Sequence, residues 1–218
     1  MRAGMIGFLA VCGGVLAAAP GWAIDVKLTM EEAKKSLEAG RAPMEKAADS
    51  AKPDEEIKKL MQQASMVTRI GADPEKDACG TSAVLRTKRF WLESWGRKEA
   101  TESRKQNQQI RMPADKIQKY LDMPNLEIEV QLCGEDEYFA EGVQVAFQQG
   151  SKTVKPVDVS PADRGRKIDI ADRGVAFRTR FTARFAYDTF DPNGKTKVVV
   201  FFMDGKQIEF DADFSNVK

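Results

Sequence analysis

The chain has 218 residues, with 34 lysines and arginines against 33 aspartates and glutamates, and it contains no histidine. The missing imidazole removes Ser-His-Asp and Cys-His nucleophiles, histidine-ligated zinc and haem, and any ordinary side chain that titrates near pH 6.5. A composition of 42% hydrophobic, 31% charged and 8% aromatic residues describes a folded globular chain, not a disordered one.

Residues 1–23 carry one charge, Arg2, followed by the apolar run Ile6 to Ala19 and by Pro20-Gly-Trp-Ala23. This is the pattern of a signal peptide, with Gly21, Trp22 and Ala23 as a small-x-small cleavage site. About 20 apolar residues are needed to cross a bilayer; this run is shorter and rich in glycine, so no transmembrane segment is expected after cleavage. Leu9-Ala-Val-Cys12 resembles the lipobox of bacterial lipoproteins and offers a second route, with Cys12 acylated, although Val11 stands where that motif takes a small residue. Cleavage after Ala23 removes Arg2 and Cys12, which leaves 33 basic and 33 acidic side chains and two cysteines, Cys79 and Cys133. An even pair in an oxidising compartment reads as a structural disulfide, and the C-x-x-C spacing of a redox couple is absent.

Residues 24–75 read as a helical arm. Thr29-Met-Glu-Glu32 is a capping box, Met30, Ala33 and Leu37 share one face, and Gly40 offers a stop. Pro53 opens a second helix, Asp54, Glu55 and Glu56 suit its positive end, and Ile57, Leu60, Met61, Ala64 and Val67 form an apolar stripe before Gly71. Two such helices do not make a core by themselves, so the arm either docks on the main domain or serves a partner.

Residues 76–218 read as β structure. Between Val84 and Met112 a helical face and a broken alternation compete, and the expectation is a strand through Leu92, because Phe90 and Trp91 favour strands. Pro113 to Leu121 reads as a short helix with proline in its first turn. Leu126, Ile128, Val130 and Leu132 alternate with polar residues, as do Val143, Val145 and Phe147, and the two runs are expected to pair as a hairpin. The longest strand, Val175 to Tyr187, places Phe177, Phe181, Phe185 and Tyr187 on one face and Arg178, Arg180 and Arg184 on the other. Asp191-Pro-Asn-Gly194 turns the chain into Lys197 to Met203, and Asp204-Gly205 reads as a two-residue hairpin turn. That turn opposes Phe201 to Ile208 and Val199 to Phe210, and it puts Val198, Val200 and Phe202 on the face of Gln207, Glu209 and Asp211. The expected fold is mainly β, an antiparallel immunoglobulin-like β-sandwich with a short N-terminal helical arm. The cysteines are not read as a B-to-F pair around a core Trp, so an antibody-type domain is not expected.

Charge is blocked along the chain. Residues 86–119 hold 10 basic and 4 acidic side chains, 120–151 hold 7 acidic and none basic, and 152–185 hold 9 basic and 4 acidic. The simplest expectation is that neighbouring strands neutralise one another; the alternative is a basic face for an anionic partner. The stripe Arg178, Arg180, Arg184 is the leading candidate for such a face, or else it meets Glu209, Asp211 and Asp213. Trp91 and Trp95 are candidates for a sugar platform or for packing. Val198, Val200 and Phe202 are candidates for a partner surface. Nucleic acid is not expected, because phenylalanines and arginines of the long strand lie on opposite faces. No cofactor or metal site and no catalytic group is assigned: the loop at Asp188 fails the EF-hand spacing, Ser215 to Lys218 is an accidental S-x-x-K, and no phosphate-cradling glycine motif occurs. The expectation is an exported, non-enzymatic binding or assembly protein of the bacterial cell envelope that engages a protein partner. The alternatives are a module for anionic glycans or lipid headgroups and a carboxylate-based hydrolase.

Overall fold

The computed structural model describes residues 24–74, 76–170, 174–214 and 217, with only the backbone at Ser65. The expected signal segment, including Cys12, and Ser215 to Lys218 as a motif lie outside the described residues.

Helix α1 spans Met30–Ala48 and begins with the expected capping box at Thr29 and Glu32. It does not stop at Gly40. That glycine lies where α1 crosses α3 (Lys88–Gln106), and a Cβ there would stand 2.0 Å from the Glu93 carbonyl oxygen. Gly96 of α3 is its counterpart, with the Leu37 carbonyl oxygen 2.0 Å from a would-be Cβ. Ala33, Leu37, Leu92 and Ile117 form the core of a helical layer of α1, α3 and α4 (Ala114–Leu121). The layer is pinned by buried Glu99, which accepts from Arg41 at 2.6 Å and from the Met112 backbone N–H at 2.6 Å. Helix α2, Pro53–Met66, packs more loosely against α1, and Met61 and Val67 on its stripe are half exposed.

Among the described residues ten strands run from β1 (Arg69–Gly71) and β2 (Ser82–Arg86) to β10. The expected strand through Leu92 ends at Arg86: Thr87 caps the helix by accepting from the Phe90 N–H, so local capping chemistry overrides the β preference of Phe90 and Trp91. One sheet is ordered β1, β2, β3 (Asn125–Gly134), β8 (Gly174–Ala186), with β6 (Asp158–Val159) and β7 (Arg166–Ile170) side by side along β8. The other is ordered β10 (Gln207–Asp213), β9 (Lys195–Phe201), β4 (Gln144–Gln149), β5 (Lys152–Val154). Every pairing is antiparallel.

The molecule is therefore a β-sandwich carrying a helical layer. Leu126, Ile128, Val130 and Leu132 face Val145, Phe147, Val198 and Val200 across the interlayer, and Phe147 stacks on Phe185 with centroids 3.7 Å apart. The expected hairpin of β3 with β4 does not form. Both sides of β3 are taken by β2 and β8, and the connection after Gly134 carries the chain into the second sheet, so the two alternating runs meet face to face.

The β9–β10 hairpin is shifted by one residue from its expected register. Phe201 opposes Gln207 and Val200 opposes Ile208, because three residues, Met203 to Gly205, form the loop and the Phe202 N–H donates to the Lys206 carbonyl. A one-residue slip exchanges the faces of a strand. Val198 and Val200, expected on a partner surface, are fully buried, and Phe202 packs partly against the same core. Val199 and Phe201 take the other face.

Candidate functional site: an arginine-lined cleft

The outer face of the first sheet is a ladder of charge. Glu127 accepts from Arg86 at 2.9 Å and from Arg184 at 3.1 Å; Glu129 is bound by Arg86 and lies 3.7 Å from Arg180. All four carboxylate oxygens of this pair are engaged, and Arg184 also binds Asp158 at 2.7 Å. The arginine stripe thus meets Glu127 and Glu129 on neighbouring β3, not the row Glu209, Asp211 and Asp213 of β10. Burial and the charge of Arg180 hold the Arg69 guanidinium on this face below its usual value.

The stripe divides in two. Arg184 is consumed by the ladder, and Arg180 is partly so, donating to the Gln131 side chain at 3.1 Å. Arg178 stands opposite Cys133 on β3, and its side chain donates to the Ala78 carbonyl at 3.4 Å. On its other side, directly across the β7–β8 pair, is Arg166. Among the described residues neither Arg166 nor Arg178 has a carboxylate partner. Like charges directly opposite on a sheet are unfavourable, with Cβ atoms about 5 Å apart, so the pair concentrates positive charge at this point of the sheet, with Asp163 also at the cleft.

These two arginines line a cleft of about 290 Å³ with Asp163, Arg164, Thr179 and Arg180. Arg164 is fixed rather than free. It binds Glu137 in a fork, with one contact at 2.8 Å, and stands 5.1 Å over the Tyr138 ring. The Arg164 hydrogen bond draws the Glu137 carboxyl below the usual carboxylate range, and Glu137 raises Arg164 in return. Arg178 is placed by the loop before β2, which a disulfide between Cys79 and Cys133 ties to β3 with Cα atoms 5.3 Å apart. The cysteine pairing is the expected one.

Arg164 and Arg166 were not among the sequence candidates. The readable signal was Ile168 and Ile170 alternating with Lys167 and Asp169 ahead of Gly174, a second strand folding back on the long one. The aromatic candidates lead elsewhere. Trp91 and Trp95 lie one turn apart on α3 and are partly buried. Arg86 covers Trp91 at 5.4 Å and Lys98 covers Trp95 at 4.4 Å, while the Trp95 indole donates to the Tyr120 hydroxyl. One face of each ring is therefore taken by a cation.

No protein-family model and no curated protein matches this chain. A solved structure described as IgNAR antibody domain C1 is similar over 41% of this chain and 76% of its own length, at 10% identity and a TM-score of 0.26. The antiparallel sandwich is established by the two sheets themselves. Among the described residues no helix is long and apolar enough to cross a membrane.

Proposed function

We propose that this is an exported, non-enzymatic binding protein of the bacterial envelope that takes an anionic group in the cleft of Arg166, Arg178 and Arg180. The observation that carries this reading is the direct opposition of Arg166 and Arg178, neither of which has a carboxylate partner among the described residues. An anion seated there relieves the repulsion, and two guanidinium forks suit the planar or tetrahedral oxygens of carboxylate, sulfate or phosphate. The N-terminal apolar run with its Gly21-Trp-Ala23 end and the Cys79–Cys133 bridge support export. The carboxylate-hydrolase alternative finds little support in Glu127 and Glu129, whose oxygens are all held by arginines.

The test is binding of heparin and of phosphatidylglycerol vesicles to the full mature chain, the two probes separating glycan from lipid sources of negative charge. Binding of at least one is expected to fall steeply with salt, and to weaken at least about tenfold in the double variant Arg166→Gln, Arg178→Gln, since each lost charged hydrogen bond is worth about 1.5 to 3 kcal/mol. Arg184→Gln serves as the control with unchanged affinity. Retained binding in the double variant, or no binding of either probe, overturns the reading.

A further inference from the structure

The arginine cleft does not end at Arg164. Asp163 and Arg164 also line a second groove, of about 610 Å³, which is bordered by Val159 of β6, at the edge of one sheet, and by Gln144 of β4 in the other. The groove opens toward the interlayer. Ala140 and Val143, two members of the sandwich core, line it together with Val159 and Ala162, which pack on that core.

Exposed apolar side chains stand around this opening. Tyr138, 57% exposed, lines it directly. Met203, 78% exposed, lies against Gly142 of the lining, where a Cβ would stand 2.8 Å from its sulfur, and Phe201, 39% exposed, opposes Gln144. Three of the seven exposed large apolar side chains among the described residues therefore border one groove, and apolar surface gathered in this way marks a binding site. Charge sets a direction along it. Glu141 lines the groove, and Glu137 beside it is held by Arg164, so a negative group is favoured at the other end, on Arg166, Arg178 and Arg180.

We propose that the groove and the arginine cleft together bind an anionic lipid, with one acyl chain in the groove and the phosphate on Arg166 and Arg178. This rests on the reading of the cleft as an anion site and adds the class of its ligand. The volume of the groove falls within the range of small-molecule sites, about 300–1,000 Å³. A lipid is favoured over a glycan because sugar hydroxyls buried in the groove need hydrogen-bond partners, which the side chains of Ala140, Val143, Val159, Pro161 and Ala162 do not supply. Methylene groups gain from contact with the same side chains.

The probes are ethyl, butyl, hexyl and octyl phosphate, each kept below its micelle concentration and titrated into the isotope-labelled mature chain. The headgroup is common to the series, so differences in affinity report the chain. A fully buried methylene is worth about fourfold, and affinity is expected to rise about tenfold for each pair of methylenes added. Octyl phosphate is expected to shift the Ala140, Val143 and Ala162 signals together with the Arg166 and Arg178 side chains. The double variant Arg166→Gln, Arg178→Gln is expected to weaken every member of the series by a similar factor, at least about tenfold. Ala162→Gln, which puts a polar side chain into the groove, is expected to flatten the dependence on chain length while ethyl phosphate binds as before; the wild-type series stands alone if that variant fails to fold. Affinity that does not rise with chain length, while ethyl phosphate or heparin still shifts the two arginines, overturns the lipid assignment and leaves the anion site intact. Octyl phosphate that shifts the groove signals but neither arginine overturns the joint site. Absence of any shift at Arg166 and Arg178 with alkyl phosphates and heparin alike overturns both readings.

Discussion

Arg178 and Arg184 lie six residues apart on one face of β8, and what stands opposite each decides its role. Arg184 faces Glu127, which is only 8% exposed and also bound by Arg86; Arg178 faces a disulfide cysteine that offers no charge. Glu127→Gln takes from Arg86 and Arg184 one of the two carboxylates that each binds and is expected to cost about 2 kcal/mol in urea unfolding, the scale of hydrogen bonds to charged groups. Arg178→Gln is expected to change stability by less than about 0.5 kcal/mol, as for surface positions with little packing. Glu137 supplies a pH-dependent contact. The Arg164 hydrogen bond keeps its folded pKa below the unfolded one, so its contribution is present above the ordinary carboxylate value and disappears as pH falls through the folded value. A carboxyl titration followed by NMR is expected to place Glu137 below the usual range, and Arg164→Gln is expected to return it there.

At the scale of elements, the sequence was legible wherever periodicity alone decides. The capping box of α1, the proline start of α2, the core faces of β3, β4 and β8, and the Asp191 to Gly194 turn all follow from residues that act locally. It failed where one residue's role depends on a distant neighbour. Gly40 resembles a helix stop in isolation, yet it is the point where α1 meets α3, and nothing near it in the chain announces Glu93. Gly40→Ala forces a Cβ onto backbone and is expected to cost about 1 to 3 kcal/mol, the range for overpacking, in chemical denaturation. The β9–β10 register failed more narrowly. Two-residue and three-residue loops fit the same Asp204-Gly205 signal, and the difference moved Val198, Val200 and Phe202 from solvent to core. Gly205, at φ +85° with open space around it, isolates the backbone term. Gly205→Ala is expected to cost about 1 kcal/mol or slightly more by thermal unfolding, without any steric clash. The site was half legible for the same reason. Arg178 and Arg180 stood out on the long strand, but Arg166 gains meaning only from the pairing that places it opposite Arg178.

Across the whole molecule, the near-equality of opposite charges conceals an uneven settlement. The acidic residues of β3 lie between Arg86 of β2 and the arginines of β8 and are bound by them; the excess is left at β7, on the far side of β8. The N-terminal segment belongs to this settlement as well as to the core. Ile24 is buried in the sandwich, Asp25 binds Arg89 at 2.6 Å, β1 extends the first sheet and α1 covers α3. A fragment lacking residues 24–75 is therefore expected to lose its cooperative thermal transition, where a freely attached arm would leave it unchanged. The disulfide acts at the same scale, closing a separation of 54 residues. In the chain-entropy account its removal costs about 4 kcal/mol, measurable by unfolding with and without reductant.

The bridge has a second effect that stability does not report. Cys79 is adjacent to Ala78, whose carbonyl takes the hydrogen bond of Arg178, while Cys133 is the residue facing Arg178 on β3. The bridge therefore preorganises the guanidinium, so that much of the rotational freedom of Arg178 is surrendered when the chain folds and not when a ligand arrives. In the reduced but still folded protein, the anion proposed for this cleft is expected to be held less tightly and released faster.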